Sequence, residues 1–225
     1  MITNFTKPGI MKKSIILICL CTLSFSFVSN AQKAYVPNQK TKLTALYLNI
    51  GGGTSNGNLS GMGLNFILSN NWGGSLGFNE LNRKSKKMPS NYNPGSFLGF
   101  RGTFPKDKTY SYSIRFLREF PSNSKKVRYG LEGGLSIVKH TAVHFTKNDV
   151  TPVDRFIINL FTLSDPSNYN VSYSTKSTVG ASFRAKLEFP LARWIGLELA
   201  AISNLNRFQS YVGGEIHLTI GLVRS

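Results

Sequence analysis

YVGGEIHLTIGL, Tyr211 to Leu222, keeps two side chains that an aliphatic run would not hold without a reason, Glu215 and His217. Read alternately, Val212, Gly214, Ile216, Leu218, Ile220 and Leu222 fall on one side. Tyr211, Gly213, Glu215, His217, Thr219 and Gly221 fall on the other. Successive side chains of a β-strand point to opposite faces, so this period of two describes a strand lying between an apolar and a polar environment.

The same alternation recurs seven times upstream. Its apolar sides are Leu46, Leu48 and Ile50; Met62, Leu64, Phe66 and Leu68; Trp72, Gly74, Leu76 and Phe78; and Tyr110, Tyr112, Ile114 and Phe116. Further on they are Tyr129, Leu131, Leu135 and Ile137; Val179, Ala181, Phe183, Ala185, Leu187 and Phe189; and Ile195, Leu197, Leu199 and Ala201. Eight segments of this kind predict an all-β chain.

Their connections alternate between short and longer. Ser69–Asn71, Pro121–Lys126 and Pro190–Arg193 are short, whereas Gly51–Asn58, about Leu81 to Thr109, about Thr141 to Ser177, and Asn204–Ser210 are longer. That rhythm predicts an antiparallel up-and-down transmembrane β-barrel with short periplasmic turns and longer external loops. GSFLGFRGTF (Gly95–Phe104) and RFIINLFTL (Arg155–Leu163) leave a ten-stranded alternative open. The second of these, apolar on both alternating sides, suits a lid better than a wall, and eight strands are expected.

A soluble barrel would turn its greasy side inward and its charge outward. Here the apolar sides carry charge only at strand ends, at Glu80, Arg118 and Lys139. The polar sides carry Arg115, Glu119, Arg128, Glu132, Arg184, Lys186, Glu188, Glu198, Glu215 and His217. Eight strands enclose a lumen that side chains fill, and buried charges are tolerated only when paired. The ten residues are therefore expected to form a luminal ionic network that closes the barrel to open conduction.

The front of the chain reads as an export signal. Lys12 and Lys13 precede an apolar run from about Ile15, and Ser29 and Ala31 occupy the small-residue positions of a cleavage site. The division expected is a leader over residues 1–31, a short periplasmic segment over 32–41 and the barrel over 42–225. Cys19 and Cys21 leave with the leader, and losing Lys7, Lys12 and Lys13 lowers the net charge from +17 to +14. A basic exported barrel is expected to meet anionic lipid head groups and to reside in the bacterial outer membrane. Nucleic acid is not an expected partner.

With these features in place, the eight segments and the closing YVGGEIHLTIGL resemble the small outer-membrane β-barrel proteins, the family of the OmpA transmembrane domain and OmpX. RAKLEFPLARWIGLELAA (Arg184–Ala201) is similar to the last periplasmic hairpin of small barrels abundant in Bacteroidota. The resemblance implies a monomer inserted by the barrel-assembly machinery. It implies a structural, envelope-integrity or adhesion role, with a lipid A-modifying enzyme or a small-solute channel as alternatives.

For the enzyme alternative, HFTKN (His144–Asn148) is the nearest local match to a deacylase His-x-Ser-Asn, with Thr146 where serine is expected. Glu215, His217 and Thr219 share one luminal side, which favours a paired histidine over a hydrolytic site closed to lipid. No zinc spacing, cofactor motif or catalytic set is read in the chain. The most functional-looking stretch is Asn82–Lys108, whose Arg83, Lys84, Lys86, Lys87, Arg101, Lys106 and Lys108 face Asp107 as the only acid. Two readings stay open for these seven: they bind lipopolysaccharide phosphates, to which charge-assisted contacts are strong, or they keep a solvated loop soluble by their charge.

Overall fold

In the computed structural model the described residues are 42–97, 100–121, 127–148, 154, 156, 158, 164, 165 and 167–222. The expected leader, residues 32–41, most of the turn after Pro121 and the last three residues lie outside them.

The alternating segments become β1 (Leu43–Thr54), β2 (Asn58–Leu68), β3 (Trp72–Lys84), β6 (Lys106–Pro121), β7 (Arg128–Lys147), β9 (Tyr169–Ala192), β10 (Ile195–Asn206) and β11 (Tyr211–Leu222). These eight close into a ring in the order β1-β11-β10-β9-β7-β6-β3-β2, every neighbouring pair antiparallel. The ten-stranded alternative is set aside by that ring. Within the two long connections, β4 (Ser96–Phe97), β5 (Phe100–Arg101) and β8 (Ser164–Asp165) make a separate three-stranded sheet in the order β5-β4-β8. Of RFIINLFTL, the described Phe156 and Ile158 are helical rather than extended.

The register sets the faces as the alternation requires. Leu48, Ile50, Leu64, Leu76, Ile114, Phe116, Leu135, Ile216 and Leu218 are exposed around the outer wall, while Glu132, Arg184, Glu198 and His217 are buried within it. Water would not tolerate so continuous an apolar belt. Hydrocarbon does, and a closed ring leaves no strand edge unpaired in the lipid.

Two expectations about loops change. The Gly51–Asn58 connection shrinks to Ser55–Gly57, because pairing continues through Gly51↔His217 and Thr54↔Gly214. A glycine run has no side chains to alternate, so its strand character was invisible. The loops after β3 and β7 are likewise shorter than expected. β7 and β9 run on as a two-stranded ribbon from Thr141↔Thr175 to Lys147↔Tyr169, beyond the last β6 partner at Lys108↔Thr141 and the last β10 partner at Asn206↔Gly180. The hydrogen-bond ladder there outlives the apolar alternation.

The turn at Ser69–Asn71 forms where the sequence places it. Asn71 adopts φ 63°, a left-handed conformation that Asn tolerates better than most residues. Its N–H donates to Leu68 O at 2.9 Å.

Candidate functional site: the charged lumen and the basic rim

All ten polar-side residues are inward and buried, apart from a slight exposure of Arg128. Seven of them, Arg115, Glu132, Arg184, Lys186, Glu198, Glu215 and His217, form a connected path across β6, β7, β9, β10 and β11. Arg115 Nε lies 3.0 Å from Glu132 Oε2, and Lys186 Nζ lies 3.3 Å from Glu132 Oε1 and 3.8 Å from Glu198 Oε2. Arg184 Nη2 is 2.7 Å from Glu198 Oε1 and 3.4 Å from Glu215 Oε2, and His217 Nε2 is 3.1 Å from the same Glu215 oxygen. Toward the short-turn end, Arg128 Nη1 is 3.9 Å from Glu188 Oε1, and Glu119 is buried on β6.

Neutral groups complete the path. Ser75 Oγ donates to Glu132 at 2.8 Å, Asn49 Nδ2 to Glu198 at 3.2 Å, and Asn79 Nδ2 to Glu215 at 2.8 Å. Tyr47 accepts from Lys186 Nζ at 2.7 Å and donates to Glu188 Oε2 at 3.0 Å. Alternation gave each of these the inward parity, but Tyr47 and Glu188 are 141 positions apart. No spacing in the chain pairs them.

Glycine makes the room that the long charged chains need. A Cβ at Gly77 would strike the Arg115 guanidinium, and one at Gly130 would come within 2.6 Å of the Lys186 stem. Two mainly apolar clusters flank the Glu132–Arg184–Glu198 centre, with Glu119 two residues beyond Leu117 toward the short turn and Tyr47 itself bonded to Lys186 and Glu188. Ala45, Tyr47, Ile67 and Leu117 cluster toward the short-turn end, and Leu59, Leu81, Ile202 and Tyr211 toward the long-loop end.

At the long-loop rim the seven basic residues do not act as one group. Arg83 turns toward the mouth, its Nε 3.8 Å from Asp107 Oδ2, and Asp107 Oδ1 also accepts from Val143 N at 2.9 Å. Lys84, Lys86, Lys87, Lys106 and Lys108 are exposed, and Arg101 lies in β5. Lys84 and Lys106 stand directly opposite each other on the outward side of β3 and β6. Lys139 on β7 shares that outward side near Lys108, since Lys108 pairs with Thr141 and Tyr110 with Lys139. Sequence reading saw Lys139 only as a strand-end charge; its nearness to Lys108 follows from the β6–β7 register.

The two long connections are tied together above the ring. Asn93 N donates to Asn168 Oδ1 at 2.8 Å, Asn168 Nδ2 to Asn91 O at 2.6 Å, and Ser167 Oγ to Asn93 O at 2.8 Å. Tyr92 packs with Phe104, Phe145 and Tyr169, with ring centroids 5.1 to 6.2 Å away. His144 and Thr146 lie on the ribbon opposite Ser172 and Asn170. Glu215, His217 and Thr219 are buried in the lumen.

No protein-family model matches the chain, and no curated protein matches it. Among solved structures, a major outer membrane protein from Thermus thermophilus is similar over 81% of this chain and 100% of its own, with a TM-score of 0.54 at 8% identity. The N-terminal β-barrel domain of Pseudomonas aeruginosa OprF aligns over 81% of this chain and 99% of its own, with a TM-score of 0.49 at 9% identity. Neisserial surface protein A aligns over 82% and 99%, with a TM-score of 0.44 at 12% identity. At 8% identity the likeness to the Thermus protein is one of fold, that of the outer-membrane barrels.

Proposed function

We propose that this chain is a bacterial outer-membrane barrel that closes its own lumen and serves the envelope through its long-loop end, as a structural or surface-interaction protein. One observation carries the reading: inward charges lie against one another, Arg115 and Lys186 on Glu132 and Arg184 on Glu198, in a lumen that also holds two mainly apolar clusters. On this reading the interior offers no path for solute or lipid substrate. What remains for partners is the outside, where exposed Lys84, Lys86, Lys87, Lys106 and Lys108 crown the apolar wall. Their partner in this reading is the phosphate of lipopolysaccharide.

The test has two parts. In the outer-membrane fraction the chain should migrate differently on a gel before and after boiling, as a detergent-resistant barrel does, and should give no steady single-channel current in planar bilayers. Purified barrel should bind lipopolysaccharide in a salt-sensitive manner, since exposed charge contacts are screened over about 8–10 Å near physiological salt. A soluble fraction without a heat shift would refute the location. Binding indifferent to salt would refute the phosphate partner.

A further inference from the structure

The rim is not evenly basic. Lys84, Lys106, Lys108 and Lys139 gather on the outward side of three adjacent strands, β3, β6 and β7. Outward positions at the long-loop end of the other strands, among them Thr54, Asn58, Ser177, Leu205 and Val212, are uncharged. Cross-strand partners have Cβ atoms about 5 Å apart, and like charges placed there destabilise a sheet. Lys84 opposite Lys106 breaks that rule, and Lys108 and Lys139 add two more charges one step along the ladder. The nearest outward acid, Glu80, sits opposite Tyr110 and accepts from Asn82 Nδ2 at 2.8 Å. One carboxylate does not balance four ammonium groups.

Directly beneath lie Tyr110, Tyr112 and Phe78, whose rings pack together. Aromatic side chains of this kind mark the level where acyl chains give way to head groups. Below them the wall is corrugated. Phe116 is 79% exposed, Ile114 70%, Leu135 68% and Ile137 62%, against 38% and 42% for Leu48 and Leu64 on β1 and β2, with Val179 and Val212 on β9 and β11 standing out as far. Phe116 stands as a ridge because its two cross-strand neighbours are Gly74 and Gly133. A phosphate site above and an uneven apolar face below describe a phosphorylated lipid.

We infer that the β3–β6–β7 wall holds a phosphorylated glycolipid at a fixed position, its phosphate among Lys84, Lys106, Lys108 and Lys139 and its acyl chains along the Ile114–Phe116 and Leu135–Ile137 ridges. The inference rests on the lipopolysaccharide reading above and narrows it to one wall. Lysine suits this role, since its flexible four-carbon stem lets neighbouring ammonium groups converge on a single anion.

The deciding comparison uses purified, folded barrel and three probes: lipopolysaccharide, the same material dephosphorylated, and phosphatidylglycerol micelles. The variant K84S/K106S/K108S/K139S should bind lipopolysaccharide at least about tenfold more weakly than the natural chain, the worth of one charge-assisted hydrogen bond. K86S/K87S should lose less, and dephosphorylated lipopolysaccharide should bind the natural chain as weakly as lipopolysaccharide binds the fourfold variant. Retention of the heat-dependent gel shift shows that the variant is folded; if it misfolds, the pair K106S/K139S takes its place. Equal loss in K86S/K87S, or no loss in the wall variant, overturns the site while leaving the partner standing. Phosphatidylglycerol binding with the same lysine dependence and equal strength reassigns the wall to phospholipid head groups and overturns the glycolipid. Absence of lipopolysaccharide binding by the natural chain overturns the partner itself.

Discussion

Glu132 meets two cations at once, Arg115 at 3.0 Å and Lys186 at 3.3 Å, and also accepts from Ser75. Replacing it with glutamine removes the carboxylate that Arg115 pairs with, while Lys186 keeps Glu198 at 3.8 Å. An uncompensated buried ion of this kind costs about 3–5 kcal/mol. Glu132→Gln should therefore lower the midpoint of urea unfolding in lipid vesicles. Arg115→Leu combined with Glu132→Leu should cost less than the sum of the two single changes, since partners in one network are not additive. Additive losses would mean that the two side chains do not depend on each other. Gly77 makes the complementary case. Gly77→Leu drives a side chain into the space of the Arg115 guanidinium, and overpacking should cost about 1–3 kcal/mol in the same assay. At this scale the sequence told which residues face inward, because parity is local. It left partners unassigned, because Asn79 and Glu215 meet across the lumen from positions 136 apart.

Among the elements, legibility followed the solvent. Where lipid touches one side of a strand and the packed lumen the other, as along β10 and β11, alternation marked the strand nearly end to end. Above the apolar belt both sides of the β7–β9 ribbon are polar or mixed, so Thr141–Lys147 read as loop although its ladder is intact. The small sheet was half legible: Gly95–Phe104 carried a strand signal, but β4 bonds both β5 within that stretch and β8 in another connection, a pairing no local pattern announces. Asn168 ties these connections together with two hydrogen bonds. Asn168→Ala should loosen the loop after β3 by about 1–3 kcal/mol without opening the ring. Limited proteolysis would then clip between Ser85 and Pro105 sooner, while the heat-dependent gel shift stays unchanged. Loss of the shift would place the loop tie within the barrel's own stability.

For the molecule as a whole, the proposed orientation puts the Ser69–Asn71 and Arg193–Trp194 turns in the periplasm and the Ser85–Pro105 connection outside. The short-turn rim carries Arg118 over the Trp72 ring at 4.8 Å and Arg193 over Trp194 at 5.6 Å. The composition permits a clean test, because Cys19 and Cys21 are the only cysteines and both lie in the expected leader. A single introduced thiol then reports its own side of the membrane. Ser90→Cys should react with a membrane-impermeant maleimide on intact cells, whereas Ser69→Cys should react only after the outer membrane is opened. Both positions are exposed, so a failure to label reflects the membrane and not burial in the fold. Labelling of Ser69→Cys alone on intact cells would invert the barrel and carry the basic wall of β3, β6 and β7 to the inner leaflet. There no lipopolysaccharide could reach Lys106 or Lys108, and the glycolipid site would fall with the orientation.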